Sequence, residues 1–333
     1  MKSGQKWVLI GTGAVGAVGL AALGVGLSCR YMVRLAMDRE TPAAAKRDLD
    51  RVSGGGMGPM AAAMLACGKS RLERAGAVPV ETESHDGLRL VGHWLEVENP
   101  KRVIVAMHGW RGSWARDFGL ISEFWREQGC SVLFAEQRGQ GESGGKHIGF
   151  GLLERHDCLR WVRWVCENQP GLPVYLAGVS MGATTVLMAG GMELPETVRG
   201  ILADCGYTSA HDIWKHVAEH NLHLRYSLYA AAANDLCRRR IDLDARDYST
   251  LDAMAECEVP VLFVHGTDDS FVPISMTFEN YKACAAPKRL LVVPGAEHAM
   301  SYLTDRPAYE KAMLEFWEAF DRGADSGQLT ADS

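Results

Sequence analysis

The amino-acid sequence predicts an α/β protein with a mostly parallel β-sheet, helices on both faces and a small helical cap insertion. Short runs rich in Val, Ile and Leu end at glycine or a polar residue, as buried strands do, and helical patterns separate most of them. Residues 207–257 interrupt this alternation with helical and polar patterns, which predicts an insertion above the sheet. The predicted buried strands are Arg102–Gly109, Ser131–Glu136, Val174–Ser180, Gly200–Cys205, Val259–Gly266 and Arg289–Gly295.

The composition is that of a globular protein with a sizeable core. Of the 333 residues, 47% are hydrophobic and 23% are charged. A net charge of -6 without a long basic block argues against nucleic acid as a partner. The nine cysteines are odd in number and none has C-x-x-C spacing, so they predict core thiols in a reducing environment rather than a disulfide framework or a zinc site.

An apolar segment near the N-terminus predicts a membrane anchor. Residues 8–27 form a run of about 20 residues, the length that spans a bilayer core, and residues 13–27 include no charged or strongly polar side chain. Lysines precede the run and arginines follow it, so the flanking charges leave the side of the membrane open. We therefore expect residues 1–29 to form an uncleaved single-pass anchor in a lipid bilayer, which makes a membrane the predicted location.

Two other interpretations fit parts of this segment. A basic start and an apolar middle are also typical of a cleaved signal peptide, although no A-x-A site follows directly. Gly11, Gly13 and Gly16 have the spacing of a dinucleotide-binding loop, with Asp38 near the position of the ribose-binding acid. The helix after such a loop needs a polar face, and residues 13–27 offer none. The membrane interpretation explains more of the segment.

The rest of the chain divides into a tether, a folded domain and a tail. Residues 30–77 are rich in Ala, Gly and charge and predict a tether and helical linker. The folded domain is expected over 78–322, opening with an antiparallel hairpin at Val78–Val97 on the edge of the sheet, with the cap at about 207–257. Residues 323–333 predict a disordered tail.

A serine lies where a predicted strand meets a predicted helix. The sequence "GVSMG" places Ser180 in the G-x-S-x-G pattern, in which a sharp turn projects the hydroxyl and flanking glycines relieve crowding. A serine nucleophile needs a base, and the base needs an acid to orient it. Asp268 and Asp269 follow one later strand, and His298 follows the next. The order Ser, Asp, His in loops after successive strands is that of the α/β-hydrolase fold.

Several further motifs extend this similarity along the chain: "MHGW", "EQRGQGESGG", "GVSMGATTVLM", "LADCGYTS", "FVHGTDDSFVP" and "PGAEHAMSY". From about residue 78 to 320 the sequence resembles α/β-hydrolases of the serine-aminopeptidase-like (S33-type) group, in particular membrane-anchored bacterial members with "DCGYTS" after the sixth strand. The resemblance implies that Asp269 is the acid beside His298 and Ser180. It also implies an oxyanion hole from the backbone N–H groups of Trp110 and Met181, and no metal or organic cofactor.

Other residues of these motifs are expected to support the site rather than react. His108 is expected to brace the loop that holds Trp110. By resemblance, Arg138 and Ser143 belong to a structural turn. Glu136 departs from the family, whose members often have aspartate there, but it is not one of the three reacting positions.

The motifs predict a membrane-tethered serine hydrolase that cleaves an ester, thioester or amide of a small-molecule or peptide acyl substrate. A serine nucleophile argues against dehalogenase and epoxide hydrolase chemistry, for which related folds use aspartate. The apolar cap sequence favours a carboxylic ester. An aminopeptidase would need a cap carboxylate to hold the substrate amine, and Glu219, Asp235, Asp242 and Asp244 leave that alternative open. A third possibility is a non-catalytic binding protein on a hydrolase scaffold.

One motif points to different chemistry. "HVAEH", residues 216–220, matches the H-x-x-E-H zinc pattern, and His223 continues the same helical face. The simpler interpretation is a solvated cap helix, because a zinc peptidase would leave the Ser, Asp and His unexplained. We therefore expect no metal here.

Overall fold

The computed structural model describes residues 23–41 and 58–321. Most of the predicted anchor, the glycines of the possible dinucleotide loop and the predicted tail lie outside the described residues. Within the described ranges, no helix combines the length and the hydropathy needed to cross a bilayer.

The core of the protein is one eight-stranded sheet with the order β1-β2-β4-β3-β5-β6-β7-β8. β1 and β2 pair antiparallel, as do β2 and β4, and the remaining neighbours pair in parallel. This confirms the predicted edge hairpin and mostly parallel sheet. The strands are β1 (Val78–Glu83), β2 (Arg89–Leu95), β3 (Arg102–Met107), β4 (Cys130–Ala135), β5 (Val174–Val179), β6 (Val198–Asp204), β7 (Val261–Gly266) and β8 (Lys288–Val293).

Helices cover both faces because consecutive strand residues point to opposite sides of the sheet. Val105 joins one apolar cluster and its neighbour Ile104 joins the other. On the first face lie α5 (Glu154–Asn168), α6 (Met181–Gly190), α9 (Thr250–Glu256) and α10 (Ile274–Ala283). On the second lie α2 (Pro59–Glu73), α3 (Trp114–Phe118), α4 (Ile121–Glu127) and α12 (Arg306–Phe320), while the short α11 (Ser301–Thr304) precedes α12.

The cap is shorter than residues 207–257. It consists of α7 (Ala210–His216), a π-helical turn (Val217–Asn221), a short 3-10 turn (Tyr226–Leu228) and α8 (Ala230–Ile241). The next helix, α9, instead packs on the sheet through Ala253 and Met254. Since β6 and β7 are parallel neighbours, a crossover is required between them, and α9 provides its packed helix.

Two helices before residue 78 pack against this domain. This part of the predicted tether and linker is therefore in contact with the folded domain. Helix α1, residues 23–37, buries Cys29, Val33 and Met37 in a third apolar cluster beneath the cap. Helix α2 contacts α3 at a glycine pair, where a Cβ on Gly68 would lie 2.9 Å from the carbonyl carbon of Gly119. Both contacts join segments distant in sequence.

The cysteines match the prediction of core thiols. All nine are free, seven are buried, one is half-buried and Cys67 is exposed.

Candidate active site

Ser180 lies on a sharp turn between β5 and α6. Its backbone has φ 55° and ψ -118°, a left-handed conformation that is costly for a residue with a side chain. The flanking glycines are required sterically. A Cβ on Gly178 would lie 2.2 Å from the carbonyl oxygen of Gly182, and a Cβ on Gly182 would lie 1.8 Å from the carbonyl oxygen of Met107. The turn thus packs directly against the end of β3.

Ser180, His298 and Asp269 form one hydrogen-bonded chain. The Nε2 atom of His298 lies 2.9 Å from Oγ of Ser180, and its Nδ1 atom lies 2.7 Å from Oδ2 of Asp269. The residues follow β5, β7 and β8, whose carboxyl ends meet at one edge of the sheet. These two hydrogen bonds join residues that lie 118 and 29 positions apart in the sequence. The exposed Asp268 lies outside this chain, and its carboxylate accepts a hydrogen bond from the hydroxyl of Thr267.

The carboxylate of Asp269 is buried and saturated with donors. Its Oδ1 atom accepts the backbone N–H groups of Phe271 and Val272 at 2.9 and 2.8 Å. Burial alone would raise the pKa of Asp269, but the charge of His298 and the hydrogen bonds from His265 and His298 outweigh burial and hold the pKa well below its ordinary value. The group is an ionised acceptor that orients the ring of His298.

His265 is a residue of this site that the sequence analysis did not single out. Its Nε2 atom lies 3.1 Å from Oδ2 of Asp269 and 3.0 Å from the carbonyl oxygen of Val272, and its Nδ1 atom lies 2.7 Å from the hydroxyl of Thr277. Because both neighbours of Nε2 are acceptors, Nε2 carries a proton. A histidine near the end of an otherwise apolar strand was the signal in the sequence.

The predicted oxyanion residues border Ser180. Met181 begins α6, where a backbone N–H has no partner within the helix. The loop after β3 is held on both sides of Trp110, since the N–H of Gly109 donates to Asp117 at 2.8 Å and the N–H of Arg111 donates to Gln140 at 2.6 Å. The assignment of the two N–H groups to an oxyanion stays a prediction.

The predicted supporting residues make structural contacts. His108 is buried and accepts the backbone N–H of Gln137 at its Nε2 atom, 3.2 Å away. Arg138 is buried between the carboxylates of Asp157 and Asp86, at 2.6 and 2.8 Å. Ser143 donates to the carbonyl oxygen of Glu136 at 2.6 Å. These bonds fix the loop after β4.

An apolar cavity of about 110 Å³ opens above Ser180. The cap forms one wall and α1 forms another, and no charged side chain lines it among the residues that the structure describes. Its aromatic lining comes from several loops and the cap: Trp110, Phe150, Tyr207, Trp214, Tyr226, Tyr229 and Phe271. Such a cavity suits an uncharged, apolar group next to the serine.

The histidines of "HVAEH" do not assemble a metal site. The rings of His216 and His220 stack with centroids 4.4 Å apart, and Nδ1 of His220 lies 3.2 Å from the carbonyl oxygen of His216. Within the described ranges, the groups of three possible ligands occur elsewhere, at Cys205, Asp269 and His298 and at His85, Asp86 and Asp157.

The sheet and the residues at its carboxyl edge define an α/β-hydrolase. The same fold is found in an esterase of Pyrococcus furiosus, with a TM-score of 0.61 at 20% identity over 80% of this chain and 96% of that one. An acylaminoacyl peptidase of Pyrococcus horikoshii gives a TM-score of 0.57 at 15% identity over 77% of this chain and 44% of that one. These two similarities show that the chain has the α/β-hydrolase fold.

Sequence comparison gives a narrower similarity than the fold does. The family described as "Serine aminopeptidase, S33" matches residues 98–224. The uncharacterized protein YqkD of Bacillus subtilis (strain 168) is 28% identical over 232 residues, which are 69% of this chain and 75% of the relative. Over these residues the chain is similar to the serine aminopeptidase (S33) family, in agreement with the resemblance that the sequence motifs carry.

Proposed function

We propose that this protein is a serine hydrolase that cleaves carboxylic esters with an apolar acyl group. His298 takes the proton of Ser180 as Oγ attacks the ester carbonyl and forms a C–O bond. The N–H groups of Trp110 and Met181 stabilise the oxyanion, and Asp269 stabilises the charged ring of His298. Collapse of this tetrahedral intermediate breaks the ester C–O bond, and the alcohol leaves with the proton from His298. Water then attacks the acyl enzyme by the same steps and releases the carboxylic acid.

The observation that carries this proposal is the hydrogen-bonded chain from Asp269 through His298 to Ser180 at the floor of an apolar cavity. The cavity also favours an ester over a peptide with a free amino end. A substrate ammonium group needs a carboxylate partner, because an unpaired buried charge is very costly.

None of the four cap carboxylates that could bind an amine lines the cavity: Glu219, Asp235, Asp242 and Asp244. Asp244 already accepts from Arg238 and Arg246 at 2.7 and 3.1 Å, and Asp235 accepts from Arg239 at 2.8 Å. These pairs weaken the aminopeptidase alternative.

Membrane attachment is a separate part of the proposal. It is supported by the apolar run of residues 8–27 and by the exposed side chains of Leu23 and Leu27 at the end of that run. The test is fractionation of the full chain. Recovery in the membrane pellet after an alkaline carbonate wash is expected, and recovery in the supernatant would remove this part of the proposal.

The first experiment on the chemistry is labelling with a fluorophosphonate probe. Wild-type protein should be labelled with and without a chelator, and Ser180→Ala should not. Asp269→Asn and Asp268→Asn form a matched pair: the first should lower kcat by about 10⁴-fold, as in a serine protease, and the second should not change it. Release of amino acids from peptide amides with esters left intact would overturn the ester assignment.

A further inference from the structure

The helix that precedes the domain, α1, forms part of the cavity above Ser180. Met32 and Val33 contribute to the cavity wall, and Val33 is also buried in the cluster beneath the cap. Arg30 lies on the exposed side of the same helix. One face of α1 therefore belongs to the site, although the helix lies outside the sheet and the cap.

The end of α1 is fastened to the loop that holds the predicted oxyanion donor. The indole Nε1 of Trp110 donates to the carbonyl oxygen of Ala36 at 2.8 Å, and the guanidinium of Arg111 donates to the carbonyl oxygens of Leu35 and Asp38 at 2.8 and 2.6 Å. The last carbonyls of a helix have no partner within it, so these side chains satisfy groups that would otherwise be unpaired. The contacts place α1 in a defined position beside Ser180.

Two further elements contact the C-terminal end of α1. The N–H of Ile148 donates to the carbonyl oxygen of Met37 at 2.7 Å, and Arg240 of the cap helix α8 pairs with the carboxylate of Asp38 at 2.6 Å. Asp38, considered above as a ribose-binding acid, is occupied by this pair and by His147 at 3.2 Å. Helix α1 is thus held in place by contacts with both the domain and the cap.

We propose that α1 is the acyl-chain wall of the active site and that the substrate is an ester of a linear aliphatic acid, whose chain lies between α1 and the cap. The substrate class rests on the proposed function, whereas the binding of an aliphatic chain against α1 does not require hydrolysis. Met32 lines the cavity and is half-buried, so its size sets how much of the chain can be accommodated.

The test compares Met32→Trp with Arg30→Trp, which adds the same ring to the exposed side of α1. The substrates are p-nitrophenyl acetate and p-nitrophenyl octanoate. Each methylene that loses its burial costs about four-fold, so a tryptophan that displaces three methylenes should lower kcat/KM for octanoate about 60-fold relative to acetate. Arg30→Trp should keep the wild-type ratio.

A binding measurement separates this inference from the proposed function. The methyl ketone 2-nonanone carries the aliphatic chain of an octanoyl group, and calorimetry gives its Kd for each variant. Weaker binding in Met32→Trp together with no ester hydrolysis by wild type would support the wall and reject the esterase. Equal Kd values and equal octanoate-to-acetate ratios in all variants would overturn the wall. If Met32→Trp does not fold, Met32→Ala tests the same wall in the other direction, with the preferred ester expected to lengthen toward dodecanoate.

Discussion

Gly182 is a position where a single added methyl group should lower both catalysis and stability. In Gly182→Ala the new Cβ would lie 1.8 Å from the carbonyl oxygen of Met107 and 2.7 Å from that of His108. The closest favourable contacts between carbon and oxygen are about 3.3 Å, so the end of β3 and the start of α6 must separate by roughly 1.5 Å. Both atoms belong to the backbone and no rotamer change can relieve the contact.

The separation acts on both sides of the predicted oxyanion hole, since Met181 lies on α6 and Trp110 follows β3. A displacement of about 1 Å at reacting groups can lower the rate about 100-fold, and forced overpacking costs about 1–3 kcal/mol. We expect kcat/KM for p-nitrophenyl butyrate to fall at least 100-fold and the free energy of unfolding in urea to fall by about 2 kcal/mol. Fluorophosphonate labelling should slow in parallel.

Gly26→Ala is the control, because a Cβ at Gly26 meets no atom within 4 Å. It replaces glycine within helix α1 and should raise stability by about 0.5–1 kcal/mol without changing kcat/KM. Gly182→Ala protein with wild-type activity and wild-type stability would refute the steric reasoning.

Two other predictions concern buried groups near Ser180. His265→Leu removes a donor to the Asp269 carboxylate, so kcat should fall about 10- to 100-fold while KM stays unchanged; an unaltered kcat would show that His265 does not position Asp269. Burial raises the pKa of Asp204 to about 6, against the opposing charge of His265 and a hydrogen bond from Ser301. The folded state therefore binds the proton more tightly than the unfolded chain, and its contribution to stability is lost as the pH rises through about 6. Asp204→Asn should remove a decrease of about 3 kcal/mol between pH 3 and 7, measured by urea unfolding, and equal slopes in both proteins would contradict the assignment.

The sheet was predictable because each buried strand is a short apolar run that ends at a glycine or polar residue. The observed strand ends differ from the predicted ones by at most two residues. Strand β8 is less buried than the others because it lies at the edge of the sheet, where most of its residues are half-buried. The contacts among Ser180, Asp269 and His298 were predictable because the order of loops in this fold fixes which strand ends meet. Local pattern and fold topology were sufficient for these features.

The role of α1 could not be predicted from local pattern. Contacts with residues far along the chain determine which face of α1 borders the cavity. One example is the contact between the Cys29 thiol of α1 and the carbonyl oxygen of Tyr229, 200 positions away. The apolar run before it also obscures where a membrane segment would end and a packed helix would begin. His265 was missed for a related reason, since only the fold places its ring against Asp269.

The left-handed backbone at Ser180 links the proposed activity to the conformational stability of the protein. A serine in that conformation is strained, and the close packing of Gly178 and Gly182 prevents the turn from relaxing. Glycine at position 180 would relieve the strain but would remove the hydroxyl. Selection for stability alone would therefore favour glycine at position 180, so the proposed nucleophile is held at a cost in conformational stability.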